Sequence, residues 1–535
     1  MSIAISACVE LSELQLAVVL LEQGLATMFQ QLLQLRTTMD ILPHAEAEKL
    51  QLLSAQLYSG TSDDPKRLAA ERNELLEKIR EHPGLENFLR AKPFKELCQA
   101  AVHGPVIILN SHSDHCDGII ILDTVSSPVR VLLPAVTIQA LEQHKRILKE
   151  VIHGRNIRGC EVEGVRLYGG QEPSKFNFET LLAWIQSSII EPLHQTLKSH
   201  GIVEGRLWWC PTGHFSGLPL HAADLSDKFI YSYTSTLGAL LEANSRKHRI
   251  RSPALGIVGV THTGPERNQA LPGVEQEIKK ITSIVGQNNV QTLLGEQATV
   301  ESVKLQLENY AWVHLACHAK QNYMDPPKSH LQLYGGKLEL ETILQKPLPN
   351  AEFIFLAACQ TAQGDSTLVN ESFHFGGGFI AAGFQGAVGT MWSMLDQDGP
   401  VIADMVYSHL FANGGRPYVR DAAKGLQLAV RKLRDQGVPP SRNRSNLLDR
   451  YPLPAFLRPF PPTRTENVIN FIYMSAQSVI AHRSREIDRK AVADHLYCFK
   501  GNRTLAQFKS TLVEIQKDHP LGATGVHFLW LPFPQ

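Results

Sequence analysis

WVHLACHAKQNYMDPPK (312–328) and FIFLAACQTAQGDS (353–366) share one pattern: a short, unbroken apolar run that stops abruptly at a polar loop. Runs of this length, rich in β-branched and aromatic residues, predict strands buried on both faces and not amphipathic helices. The first run leads into His318 in its exit loop, and the second ends on Cys359. Further apolar runs lie on both sides of this pair: RLWWCP (206–211), FIYSY (229–233), ALGIVGV (254–260) and AVGTMW (387–392), most of them separated by helical patterns. Upstream, GPVIILN (104–110), GIIILD (118–123) and VRVLLP (129–134) open the sheet, and helical periodicity follows at 136–152 and 176–200. The alternation predicts an α/β domain whose largely parallel sheet is flanked by helices and joined by right-handed crossovers.

In such a sheet, reactive groups collect beyond the C-terminal strand ends. If the two runs are neighbours, the thiol of Cys359 and the imidazole of His318 meet at one edge. A thiol beside a base attacks carbonyls, whereas an isolated thiol near pKa ~8.5 is mostly protonated at neutral pH. The backbone N–H groups of Cys359 and Ala319 are the candidate oxyanion donors. Neither a cofactor nor a metal is needed. Cys317, inside an apolar run, reads as core filler. His314 also reads as a core residue, because no Glu or Cys pair completes a zinc set around it. The Gly triplet 376–378 lacks the Lys-Ser/Thr that follows in a nucleotide loop, so it reads as close packing. Trp392 reads as core. Asp396 and Asp398 could line a specificity pocket, with solvated loop acids or helix N-caps as the alternative.

The chain has 535 residues and a 19% charged, 43% hydrophobic composition, which predicts several soluble folded units. Fifty-two basic and 52 acidic side chains leave no net charge to steer it to nucleic acid. The opening residues have neither a basic leader nor an uninterrupted apolar span, so neither a signal peptide nor a membrane helix is expected. Eight scattered cysteines without CxxC pairs predict a reducing, cytoplasmic setting. Residues 1–100 read as helical, with one amphipathic helix from Leu11 to about Leu42 and charged helical stretches beyond, and with no core of their own. The Pro- and Arg-rich stretch 439–465 reads as a linker, and the tail beyond it as helices at 466–482 and 505–518. Three divisions follow: 1–100 helical, 104–437 the sheet domain, 438–535 linker and tail.

LPGVEQEIKKI (271–281), GEQATVESVKLQL (295–307), VHLACHA (313–319), FIFLAACQTAQG (353–364) and GGGFIAAGFQGAVGTMWSMLDQDGP (376–400) together resemble, in order and spacing, the CHAT domain of caspase-like peptidases. CPTGHFSGLPLHAA (210–223) and FIYSYTSTLGALL (229–241) resemble its upstream part, so the likeness runs over roughly 105–435. AVVLLEQGLATMFQQLLQLR (17–36) resembles the end of a tetratricopeptide array that often precedes the domain. The resemblance implies a caspase-like fold of the caspase–separase group and a cysteine endopeptidase acting on protein substrates. It also implies His318 and Cys359 as the catalytic pair, and allows activation through an oligomer. Relatives commonly carry Gly after this His, where Ala319 stands here. If the loop needs φ > 0, Ala319 strains it, and the alternative is an impaired pseudopeptidase that serves as an interaction scaffold. A nucleotide-dependent hydrolase would need the phosphate loop that is missing.

Overall fold

The computed structural model describes residues 2–24, 42–59, 64–83, 85, 86, 88, 92–113, 115–153, 178–224, 226–245, 255–264, 270–322, 326–344, 348, 350–358, 375–391, 396–412, 417–435 and 471–475. Its strands are β1 (Val106–Ser111), β2 (Cys116–Ile121), β3 (Val129–Leu132), β4 (Gly205–Pro211), β5 (Phe229–Tyr233), β6 (Leu255–Gly259) and β7 (Val290–Leu294). There follow β8 (Trp312–Ala316), β9 (His318–Lys320), β10 (His330–Leu333), β11 (Gly336–Glu339), β12 (Phe353–Ala357), β13 (Gly386–Thr390) and β14 (Phe471–Ser475).

Eleven of these strands form one sheet in the order β3-β2-β1-β4-β5-β14-β13-β12-β8-β6-β7. It consists of two parallel blocks. Strands β1, β4 and β5 run together, as do β13, β12, β8, β6 and β7. Strand β14 joins the blocks, antiparallel to β13 and parallel to β5. The continuous apolar runs are explained by cover on both faces. Along β8 and β12, Val313, Leu315, Ile354 and Leu356 enter one core layer, while Trp312, Ala316, Phe353 and Phe355 enter the other. Helices Phe178–Ile185, Glu191–Ser199 and Phe375–Ala381 supply the first layer, and helices Gly273–Val285, Gly399–Leu410 and Ala422–Asp435 the second. The Gly triplet belongs to helix Phe375–Ala381, and a Cβ on Gly378 would meet Leu340 Cδ1 at 2.4 Å. Close packing thus accounts for it, against the helix Leu340–Leu344.

Three sequence expectations are corrected. The Phe471–Ser475 segment, read as part of a helix over 466–482, is a strand at the centre of the sheet, so the tail beyond 438 contributes to the domain before it. Pairing with β13 over five residues overrides the helical spacing of its neighbours. The first amphipathic stretch is two helices, Ser2–Glu10 and Leu14–Gly24, broken at Ser12, whose φ is 62°. The 17–36 phrase is therefore described only as far as Gly24. The N-terminal region also has a core of its own: Leu50, Leu53, Leu75, Ile79 and Phe88 cluster within and beside the helices His44–Ser59 and Pro65–Ile79.

Helix Leu14–Gly24 instead packs on the sheet domain, where Val18 and Leu21 join the second core layer. Its buried Glu22 accepts hydrogen bonds from Leu237 N (2.8 Å) and Gly238 N (2.9 Å), the first amides of helix Leu237–Ser245. The carboxylate sits where the helix leaves unpaired donors and a partial positive charge. Burial pushes the Glu22 carboxyl up, and the two amides and the Thr236 side chain draw it back. Glu22→Ala leaves two buried donors without an acceptor, so a loss of about 1–3 kcal/mol is expected. Thermal melting of the variant against Glu22→Gln, which keeps an acceptor oxygen, measures it. Among the described residues no helix is long and apolar enough to cross a membrane.

Candidate active site

β8 and β12 are direct, parallel neighbours, with Phe353 opposite Trp312 and Ala357 opposite Ala316. Both strands therefore end at the same edge of the sheet. Beyond β8 the chain passes through Cys317, wholly buried, to His318, which is 7% exposed. Beyond β12 it passes through Ala358, also wholly buried. Cys359, the next residue, lies outside the described residues, as does Trp392.

His318 is not in an open loop as the sequence suggested. It begins β9, one edge of a three-stranded antiparallel sheet β11-β10-β9, with Gln332 opposite it and Leu331 opposite Ala319. Strands of three or four residues leave almost no periodic signal, which is why this second sheet was not anticipated. It holds the segment carrying the imidazole between a ladder on one side and the end of β8 on the other.

Ala319 occupies a strand, and among the described residues the only non-glycine positions with φ > 0 are Ser12 and Asp227. The strain expected at Ala319 is absent. A Gly there would add backbone freedom to a buried strand, so Ala319→Gly is expected to cost up to ~1 kcal/mol with no gain in rate. Melting and turnover, measured side by side, check this.

The acidic pair sits at helix ends. Asp396 Oδ2 accepts the backbone N–H of Gly273, the first residue of helix Gly273–Val285. Asp398 is the N-cap residue of helix Gly399–Leu410 and is buried. Asp396 thus contacts a helix terminus through its carboxylate, whereas the Asp398 side chain makes no capping hydrogen bond.

His314 faces away from the site, into the second core layer. Its Nδ1 lies 3.2 Å from Tyr407 Oη, its ring stacks on Phe355, and its Nε2 lies 3.2 Å from Glu277 Oε1. Neither atom of that last contact makes a hydrogen bond. Burial and the Glu277 carboxylate hold the Tyr407 phenol well above its usual range. His314 is thus a core histidine with buried partners. Among the described residues no group of three or more His, Cys, Asp or Glu side chains could hold a metal ion.

One residue at the strand edge carried no sequence signal. Thr390, the last residue of β13, donates from Oγ1 to the carbonyl of Ala358 at 2.6 Å, with both residues wholly buried. Its relevance appears only once β13 is known to flank β12.

A family model described as the CHAT domain matches residues 179–446, half of the chain. The chain belongs to the CHAT domain family. This CHAT protein is also similar to several solved structures. Separase in the Saccharomyces cerevisiae separase–securin complex shares 10% identity, with 72% of this chain and 31% of that one covered and a TM-score of 0.39. The Arg-specific cysteine proteinase gingipain R shares 10% identity, with 64% and 76% covered and a TM-score of 0.37. The complex of the Porphyromonas gingivalis RgpB pro- and mature domains gives 8%, 64%, 78% and 0.38. The CHAT chain spans about a third of the length of the separase chain it matches. No curated protein matches it.

Proposed function

We propose that this CHAT protein is a cysteine endopeptidase in which Cys359 is the nucleophile and His318 the base and then acid. The observation that carries the reading is the register of β8 and β12: Ala316 and Ala357 are paired across an offset of 41 residues, and the same offset separates His318 from Cys359.

The chemistry runs in two balanced halves. The Cys359 thiol gives its proton to His318 as Sγ bonds to the scissile carbonyl carbon, and the carbonyl oxygen becomes an oxyanion. Collapse breaks the C–N bond, and the departing amine takes the proton from His318. Water then gives a proton to His318 as its oxygen bonds to the thioester carbon. The C–S bond breaks, the acid leaves, and Cys359 regains its proton. The Cys359 amide, with that of Ala319, is the proposed donor set for the oxyanion. The substrate class is a protein, and protein partners fit the same reading. A basic P1 preference set by Asp396 or Asp398 belongs to the same proposal.

We retain the division into 1–100, 104–437 and 438–535, with helix Leu14–Gly24 docked on the second part and β14 supplied by the third. The cytoplasmic assignment rests on the described cysteines, Cys8, Cys98, Cys116, Cys210 and Cys317, which are all buried thiols outside any disulfide.

The test is selective alkylation with iodoacetamide, read by mass spectrometry. Burial pushes the Cys8 and Cys116 thiols up to about 11 and raises that of Cys210, so these groups stay protonated and slow in the folded protein. Cys359 is expected to label far faster than they do. A Cys359 no faster than thiols of the unfolded chain, with no cleavage of a protein substrate, would leave the interaction scaffold as the function.

A further inference from the structure

We infer that His103, Arg206 and Arg420 form a surface site for a phosphate group, either on a small molecule or on a phosphorylated side chain of a partner protein. The site is separate from the proposed dyad, since none of its residues lies on β8, β9 or β12. It joins three distant parts of the chain: the end of the short helix Cys98–His103, the second residue of β4, and the turn Val419–Asp421 that leads into helix Ala422–Asp435.

Arg206 is held in place from several sides. Its Nη1 donates to Ser232 Oγ and its Nη2 to the backbone carbonyl of Arg420, each at 2.8 Å, and its guanidinium carbon lies 5.5 Å from the centre of the Trp208 ring. Ser232 is wholly buried, so this arm is anchored in the fold. Arg420 in turn donates from Nη1 to His103 Nε2 at 2.5 Å. To accept that bond the imidazole must offer a lone pair, so His103 is neutral. Burial draws the His103 pKa down, and the positive charges of Arg420 and Arg206 draw it down further.

Charge is out of balance here. Among the described residues Arg420 has no carboxylate partner, and its one side-chain acceptor is the uncharged imidazole. Asp421, the next residue, is exposed and makes no ion pair. Helix Ala422–Asp435 starts two residues beyond Arg420, and the free amides of its first turn add partial positive charge. A guanidinium group is satisfied best by an oxyanion that takes two of its N–H groups at once.

A phosphate group fits this arrangement better than a carboxylate does. On an ester it carries a charge of about −1.5 to −2 at neutral pH, which two guanidinium groups offset, whereas a carboxylate would balance only one of them. Access is open: His103, Arg206 and Arg420 are all partly exposed, and Val102 beside His103 is 51% exposed.

The experiment is calorimetric titration of the full chain at fixed ionic strength with three probes: inorganic phosphate, the blocked tripeptide Gly-phosphoserine-Gly, and the same tripeptide unphosphorylated. The expected result is binding of both phosphate probes and none of the third. Loss of a charged hydrogen-bond donor in Arg420→Gln is expected to weaken binding by about tenfold to a hundredfold. Hydrogen exchange of the wild type is expected to slow within 100–106 and 417–425 when inorganic phosphate is added, and to stay unchanged in β8 and β12. This second measurement decides the matter if Arg420→Gln does not melt cooperatively. A phosphopeptide that binds more tightly than inorganic phosphate assigns the site to a partner's side chain, and the reverse order assigns it to a small molecule. No binding of either phosphate probe to the wild type, equal binding by a folded Arg420→Gln, or protection confined to other segments overturns the inference.

Discussion

Cys359→Ala is expected to abolish turnover of protein substrates and remove the fast-alkylating site, while the melting midpoint moves by no more than a degree or two. In the proposed mechanism the thiol supplies the bond-forming sulfur, and no described cysteine can replace it: Cys317 is wholly buried one residue short of His318 and points into the first core layer. His318→Ala is expected to reduce turnover by several orders of magnitude and to give little further loss when combined with Cys359→Ala, because groups that act as a unit are strongly non-additive. Single-turnover cleavage assays on the three variants measure this. Additive losses, or a Cys359→Ala variant that still cleaves, would dissolve the pairing.

The second large effect concerns the sheet. Truncation after residue 437 removes β14, which pairs with β13 from Gly386↔Ser475 to Thr390↔Phe471 and touches β5 at Met474↔Tyr233. Without it the facing edges of β13 and β5 lose their backbone partners at the centre of an eleven-stranded sheet, where unpaired amides and carbonyls are costly. The truncated protein is expected to lose its single cooperative melt and to gain fast amide exchange in β13 and β5, followed by hydrogen exchange with mass-spectrometric detection. Unchanged protection in both strands would show that the blocks close on each other directly.

What was legible in the sequence, and what was not, follows from how far each feature reaches. β4, β5, β6, β8, β12 and β13 were visible because a strand covered on both faces is apolar at most positions, a property of the strand alone. The pairing of β8 with β12 followed from their order in the chain. β14 was hidden because FIYMS sits among residues whose spacing suits a helix, and only the distant edge of β13 makes a strand the better state. The small sheet around His318 was hidden by its short strands. The break at Ser12 was hidden because a serine, not a glycine, takes the positive φ. At the site, the meeting of two strand ends at one edge was readable, whereas the contacts of Thr390 and Asp396 depend on partners 32 and 123 residues away.

β14 also sets an order of assembly. Its partner β13 ends at Thr390, and the chain must run a further 80 residues before Phe471 can pair with it. On a ribosome β8 and β12 emerge well before the strand that seals the middle of their sheet. The newborn domain thus spends part of synthesis with two open strand edges, the state most prone to pairing with the wrong chain. The central strand arrives late in translation, so a chain released early leaves the edges of β13 and β5 unsealed.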